Sequence, residues 1–157
     1  MSTSLPRSKV KKNQTWNSES VFATPKDFDV AVTRLVESLP SIQTFKGRLS
    51  EGPDTFIETM TTLNEISERA AKVQVYATMS SAVDTSDQLG ASMNGKAMSA
   101  LAQAGAATSF IDPELLAIGE TTLRQWIIND PRMKAFEFYF NDLFRKDVYK
   151  RQMQERS

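Results

Sequence analysis

Residues 53–110 read PDTFIETMTTLNEISERAAKVQVYATMSSAVDTSDQLGASMNGKAMSALAQAGAATSF. In the first part Phe56, Met60, Leu63, Ile66, Ala70, Val73 and Ala77 recur at steps of three or four, the spacing of one helix face. No two-residue alternation competes with it. The polar break Asp84-Thr85-Ser86-Asp87 ends this run, and Thr85 with Gln88 three places on has the spacing of a capping box, so a second helix is expected to start there. That helix sets Leu89, Met93, Ala97, Ala100, Ala104 and Ala107 on one face. Side chains this small are useful where another helix axis comes close, which predicts a tight antiparallel hairpin, about 53–82 and 86–110, with Ala100 and Ala104 buried in it.

The flanks carry further helix-start chemistry. Thr24-Pro25-Lys26-Asp27 combines an N-cap, proline at the first helical position and an early acid. The stripe that follows, Phe28, Val32, Leu35, Val36 and Leu39, is expected to end before Pro40. Asp112-Pro113-Glu114 opens a short helix closed by Gly119, Thr122 is expected to cap a second over Leu123 to Ile128, and Asp130-Pro131 starts a last one with Phe136, Tyr139, Phe140, Leu143 and Phe144 inward. With no β-type run between these signals, the fold expected is an all-α antiparallel bundle built on the long hairpin with shorter helices around it.

Composition narrows the function. Nineteen basic and nineteen acidic residues give a formal charge of zero, so the electrostatic footprint of a nucleic-acid binder is missing. Histidine and cysteine are both absent, which removes thiol nucleophiles, disulfides and the usual zinc ligands together. Glu58, Glu65 and Glu68 therefore read as the solvated face of a helix. The basic start, with Arg7, Lys9, Lys11 and Lys12, is followed by no apolar run that could form a signal-peptide core or a membrane span. Trp16 reads as the start of order, an anchor laid across the helices. In Phe45-Lys46-Gly47-Arg48-Leu49 two cations flank a glycine, readable either as a grip on a carboxylate or as a connection with solvated charges. Half of the aromatic residues lie between Trp126 and Tyr149, and Phe136, Phe138, Tyr139 and Phe140 point in more than one direction, so one packed face cannot cover them. This predicts either self-association through the C-terminal aromatic face or a further domain packed on it.

Taken in order, Trp16-Asn17, the Phe45 to Leu49 link, Tyr76-Ala77, Asp84-Thr85, Ser109-Phe110 and Pro113-Glu114-Leu115-Leu116 resemble the N-terminal region of oligoendopeptidase F, of the thimet-oligopeptidase-like zinc metallopeptidases. The resemblance implies a cytoplasmic zinc enzyme that cleaves short peptides in a groove between two helical halves. It makes this chain the noncatalytic half, because no H-E-x-x-H segment is present. On this basis 1–15 is expected to be a disordered basic tail and 16–146 a lid domain. Residues 147–157 depart from the family pattern and are expected to be foreign to it, the chain being a truncated product. Tyr76, Asp84 and Thr85, gathered where the two longest helices meet, are the candidate groove-facing residues. The rival expectation is a self-contained helical interaction module with no enzymatic role. Zinc would belong to the parent enzyme and to no residue of this chain, so the purified chain should hold far less than one zinc per molecule after gel filtration and cleave no peptide. One zinc retained per chain would contradict this.

Overall fold

The computed structural model describes residues 9–83 and 86–155. All regular structure among them is helical: α1 (Pro25–Gln43), α2 (Pro53–Val83), α3 (Gln88–Thr108), α4 (Ile111–Ile118), α5 (Glu120–Asn129) and α6 (Glu137–Glu155), with short 3-10 turns between. The expected all-α fold is present, and α2 and α3 form the expected hairpin. The chain divides into two compact units, one of residues up to Pro40 with 64–106, the other of 41–63 with 107–157.

In the first unit α1 starts as its sequence predicts. The Asp27 N–H donates to Thr24 Oγ1 at 3.2 Å, and the Thr24 hydroxyl donates back to Asp27 Oδ2 at 2.7 Å. Phe28, Leu35 and Leu39 of α1, Ile66, Val73, Tyr76 and Ala77 of α2, and Met93, Ala97, Ala100 and Ala104 of α3 form the core. Lys96 on α3 pairs with Asp29 on α1 at 2.6 Å.

The hairpin departs from expectation in two details. α3 is capped by Asp87, whose carboxylate accepts from the N–H groups of Leu89 and Gly90 at 3.0 and 3.2 Å, and it begins at Gln88. Thr85, expected to be the cap, lies outside the described residues. The inward face then runs Gly90, Met93, Ala97, Ala100, Ala104, while Leu89 is 52% exposed instead of buried. At Gly90 the backbones nearly touch: a Cβ there would stand 3.1 Å from the Ser80 carbonyl oxygen and 3.2 Å from Ser81 Cα. Leucine one position earlier sits about 100° round the helix and faces water.

α1 also runs further than expected, through Pro40 to Gln43. Proline cannot donate to the carbonyl four residues back, but the residues beyond it still can. Ile42 is fully buried, which offsets the lost bond.

In the second unit Phe56 is fully buried, with Trp126, Phe136 and Phe140 around it at centroid distances of 6.5, 5.0 and 5.3 Å. Ile42, Leu49, Ile111, Leu115, Leu123, Met133 and Leu143 complete this core. Thr59, also fully buried, satisfies its hydroxyl on the Thr55 carbonyl at 2.7 Å. Gly119, at φ 91°, ends α4 in a conformation that favours glycine, and α5 follows directly at Glu120. Thr122, expected to cap α5, therefore lies inside its first turn, because the Gly119 carbonyl already accepts from the Leu123 N–H. Asp130 caps the next segment by accepting from the Arg132 N–H, but that segment, Pro131–Phe136, is 3-10 and α6 starts only at Glu137. Of the aromatic residues expected inward, Phe140 is buried and Phe136, Tyr139 and Phe144 are half-buried, while Phe138 is 81% exposed. α6 continues without a break past Lys146.

The glycines of α3 supply a test. Gly90→Val should lower stability by about 1–3 kcal/mol, because a branched side chain must be forced between two backbones. Gly95 and Gly105 have open space where a Cβ would go, so Gly95→Ala and Gly105→Ala should each raise stability by about 0.5–1 kcal/mol through helix propensity. Urea unfolding of the three variants checks both signs.

Candidate functional site

Tyr76 was singled out from sequence for its place near the end of α2, and the surrounding side chains explain its orientation. It is 6% exposed and sits at the centre of three other rings. Phe28 stacks on it at 5.4 Å and 22°, and Phe22 and Trp16 meet it edge-on at 5.3 and 6.3 Å. Trp16 is thus an anchor on the helices, as its isolation before the first helix predicts. Burial, with the charge of Asp27 second, holds the Tyr76 phenol above the usual tyrosine range. Asp84 and Thr85, the other two candidates, lie outside the described residues, so the three are not brought together by any described contact.

The Phe45 to Leu49 link is a carboxylate grip, though not the basic one its cations suggest. Gly47, at φ 80°, turns the backbone so that its N–H donates to Glu114 Oε1 at 2.5 Å and the Leu49 N–H donates to Oε2 at 3.4 Å. Arg48 is committed elsewhere, in a two-pronged pair with Glu51 at 2.9 and 2.8 Å, and Lys46 is exposed. The carboxylate belongs to the chain itself, so the link fastens the start of α4 to the segment before α2. Leu49 is fully buried beside it. Gln43 makes the adjoining connection by donating from its side-chain amide to the Ala107 carbonyl. Nothing in the local sequence signals a partner 67 positions away.

A second tie joins α4 to α6, where the Tyr139 hydroxyl donates to Asp112 Oδ1. Burial first, and then this hydrogen bond, push the Tyr139 phenol well above its usual range. At the start of α2 Arg132 spans Asp54 and Asp130, at 2.6 Å to each. The guanidinium holds the Asp130 carboxyl below the ordinary aspartate range.

No group of three or more His, Cys, Asp or Glu side chains among the described residues could hold a metal ion. Since the chain has neither histidine nor cysteine, its donor set does not fit a zinc centre. No helix among the described residues is long and apolar enough to cross a membrane. The two ties and the aromatic cluster define a helical scaffold with fixed internal contacts among the described residues.

The class of protein to which this scaffold is related is set by sequence comparison: the relatives found are peptidases by name. Oligopeptidase PepF of Bacillus subtilis is 29% identical over 137 residues, covering 87% of this chain and 20% of that protein. Group B oligopeptidase PepB of Streptococcus agalactiae is 26% identical over 138 residues, 88% of this chain and 23% of the relative. The plasmid-encoded oligoendopeptidase F of Lactococcus lactis subsp. cremoris is 24% identical over 144 residues, 91% and 24% respectively. Along nearly its whole length the chain is thus similar to proteins named oligopeptidase or oligoendopeptidase F, as the ordered series from Trp16 to Leu116 implies, and it spans about a fifth to a quarter of the length of these curated relatives. No family model matches it. No solved structure matches it.

The two shifted phenols give a pH dependence with a definite sign. An unfolded chain releases phenolic protons near pH 10, whereas the folded chain holds those of Tyr76 and Tyr139 to higher pH. Folding stability should therefore fall as pH rises past about 10. Tyr139→Phe should flatten this alkaline decline, measured as the urea midpoint between about pH 8 and 11.

Proposed function

We propose that this chain is the helical, noncatalytic N-terminal part of a zinc-dependent oligoendopeptidase, forming one wall of the groove in which short peptides are cut. The observation that carries the reading is similarity to named oligopeptidases and oligoendopeptidases along nearly the whole of this chain but only a small part of theirs. A donor set without imidazole or thiolate supports a reading in which the metal, and with it the chemical step, belongs to the catalytic part. A wall of rigid helices contributes by shaping entry and limiting water at the scissile bond. The rival reading, a self-contained interaction module, gains no support from the relatives' names.

Within this reading the substrates are short flexible peptides, the compartment is the cytoplasm, and residues 16–146 act as the lid. Tyr76, Asp84 and Thr85 belong to the part of the wall nearest the groove, with the phenol of Tyr76 fixed by its ring neighbours. Phe138, exposed on α6, lies on the surface through which the chain packs on the catalytic part or, when alone, on a second copy.

The test uses the full-length gene product. Tyr76→Phe and Asp84→Ala should change the profile of cleavage rate across a series of peptide lengths and leave zinc content at the parent level. Unchanged kinetics over the whole series would assign this region to scaffolding. Loss of zinc would contradict the division into a lid and a catalytic part.

A further inference from the structure

One cleft in the first unit combines uncommitted positive charge with apolar surface. Asp27, Val30, Ala31 and Arg34 recur at helical spacing along one face of α1, and Arg69 and Lys72 lie one turn apart on α2. With Phe22 they line a cavity of about 370 Å³. Three cations there face one carboxylate, and that carboxylate already accepts the Thr24 hydroxyl. The cations are unequally engaged. Lys72 is paired with Glu68 at 2.7 Å, and Arg69 reaches Glu65 only at 3.6 Å, beyond hydrogen-bonding distance. The Arg34 guanidinium has no ion pair or hydrogen bond among the described residues.

A guanidinium presents a planar fork that matches the two oxygens of a carboxylate, and it remains charged at any working pH. Beside it Val30 is 42% exposed, so the same cleft offers an apolar contact adjoining the anion site. The volume lies at the small end of the range for ligand pockets, about 300–1,000 Å³. That suits one or two terminal residues better than a long segment. Inorganic phosphate would use the charge and leave Phe22, Val30 and Ala31 without a role.

We propose that this cleft takes the free C-terminal end of a short peptide, the α-carboxylate on Arg34 and Arg69 and an apolar last side chain against Val30 and Phe22. The choice of a peptide as ligand rests on the peptidase reading above, whereas the anion-plus-apolar chemistry rests on the cleft itself. A site of this kind selects peptides by where they end, which an interior segment with no charge cannot satisfy.

The experiment is a titration of this 157-residue chain, labelled with nitrogen-15, followed by amide chemical shifts. The probes are an alanine-rich pentapeptide ending in leucine with a free carboxylate, the same peptide as its C-terminal amide, and inorganic phosphate. The free acid should shift the amides of Val30, Ala31 and Lys72, and the amide form and phosphate should bind at least about tenfold more weakly. Arg34→Gln should weaken the acid by about the same factor, and Arg34→Lys, which keeps charge without the fork, should fall between. Equal binding of acid and amide, phosphate binding as tightly as the peptide, or an Arg34→Gln chain that titrates like the parent would each overturn the proposal. Acid-selective binding here together with unchanged kinetics in the full-length variants would leave the cleft standing and remove the groove wall.

Discussion

The absence of a side chain at Gly90 is the constraint on which the first unit depends. A Cβ there, 3.1 Å from a backbone oxygen, would oblige α3 and the last turns of α2 to give by a few tenths of an ångström. From Gly90, Met93, Ala97, Ala100 and Ala104 follow along the same face and are buried in turn. Close packing of small residues contributes little transfer energy per residue, about 0.8 kcal/mol per buried CH₂ group, but it forgives no added volume. The larger apolar contribution comes from α1, where Phe28 and Leu35 are fully buried and Phe28 stacks on Tyr76.

The second unit is organised differently. Its core is aromatic around Phe56, and its connections are fixed by polar ties that each satisfy a backbone or side-chain group: Glu114 on two loop N–H groups, Tyr139 on Asp112, Arg132 on Asp54 and Asp130. Pairs of this exposed kind are individually weak. Their value lies in register, since they determine which turn of α4 meets the Gly47 link and where the 3-10 segment at Pro131 meets α2.

Much of this was legible in the residues. A helix start with concurrent signals, Thr24 with Pro25 and Asp27, is found where the sequence places it. The errors share a form: each trusts a single residue against its tertiary setting. Pro40 does not end α1, because the buried Ile42 lies beyond it; Leu89 does not face inward, because Gly90, silent on any hydropathy pattern, holds the contact. Thr122 is displaced by Gly119, whose positive φ ends α4 three residues earlier. At the candidate site, the place of Tyr76 near a helix end was legible, whereas the rings around it come from segments 48 to 60 positions earlier, which no local pattern reveals. The carboxylate grip was legible as chemistry at Gly47 and illegible as a partner, since Glu114 is remote in sequence.

The role proposed for this chain, which has neither histidine nor cysteine, is to border the peptide during cleavage. Its most direct test is photo-cross-linking in the full-length gene product, using a cleavage-resistant short peptide that carries a benzophenone side chain, followed by mapping of the attachment sites. The account predicts cross-links within this segment, on α1, α2 or the turn between α2 and α3, competed away by unlabelled substrate peptide. Cross-links confined to the rest of the protein, at peptide concentrations that saturate cleavage, would contradict it.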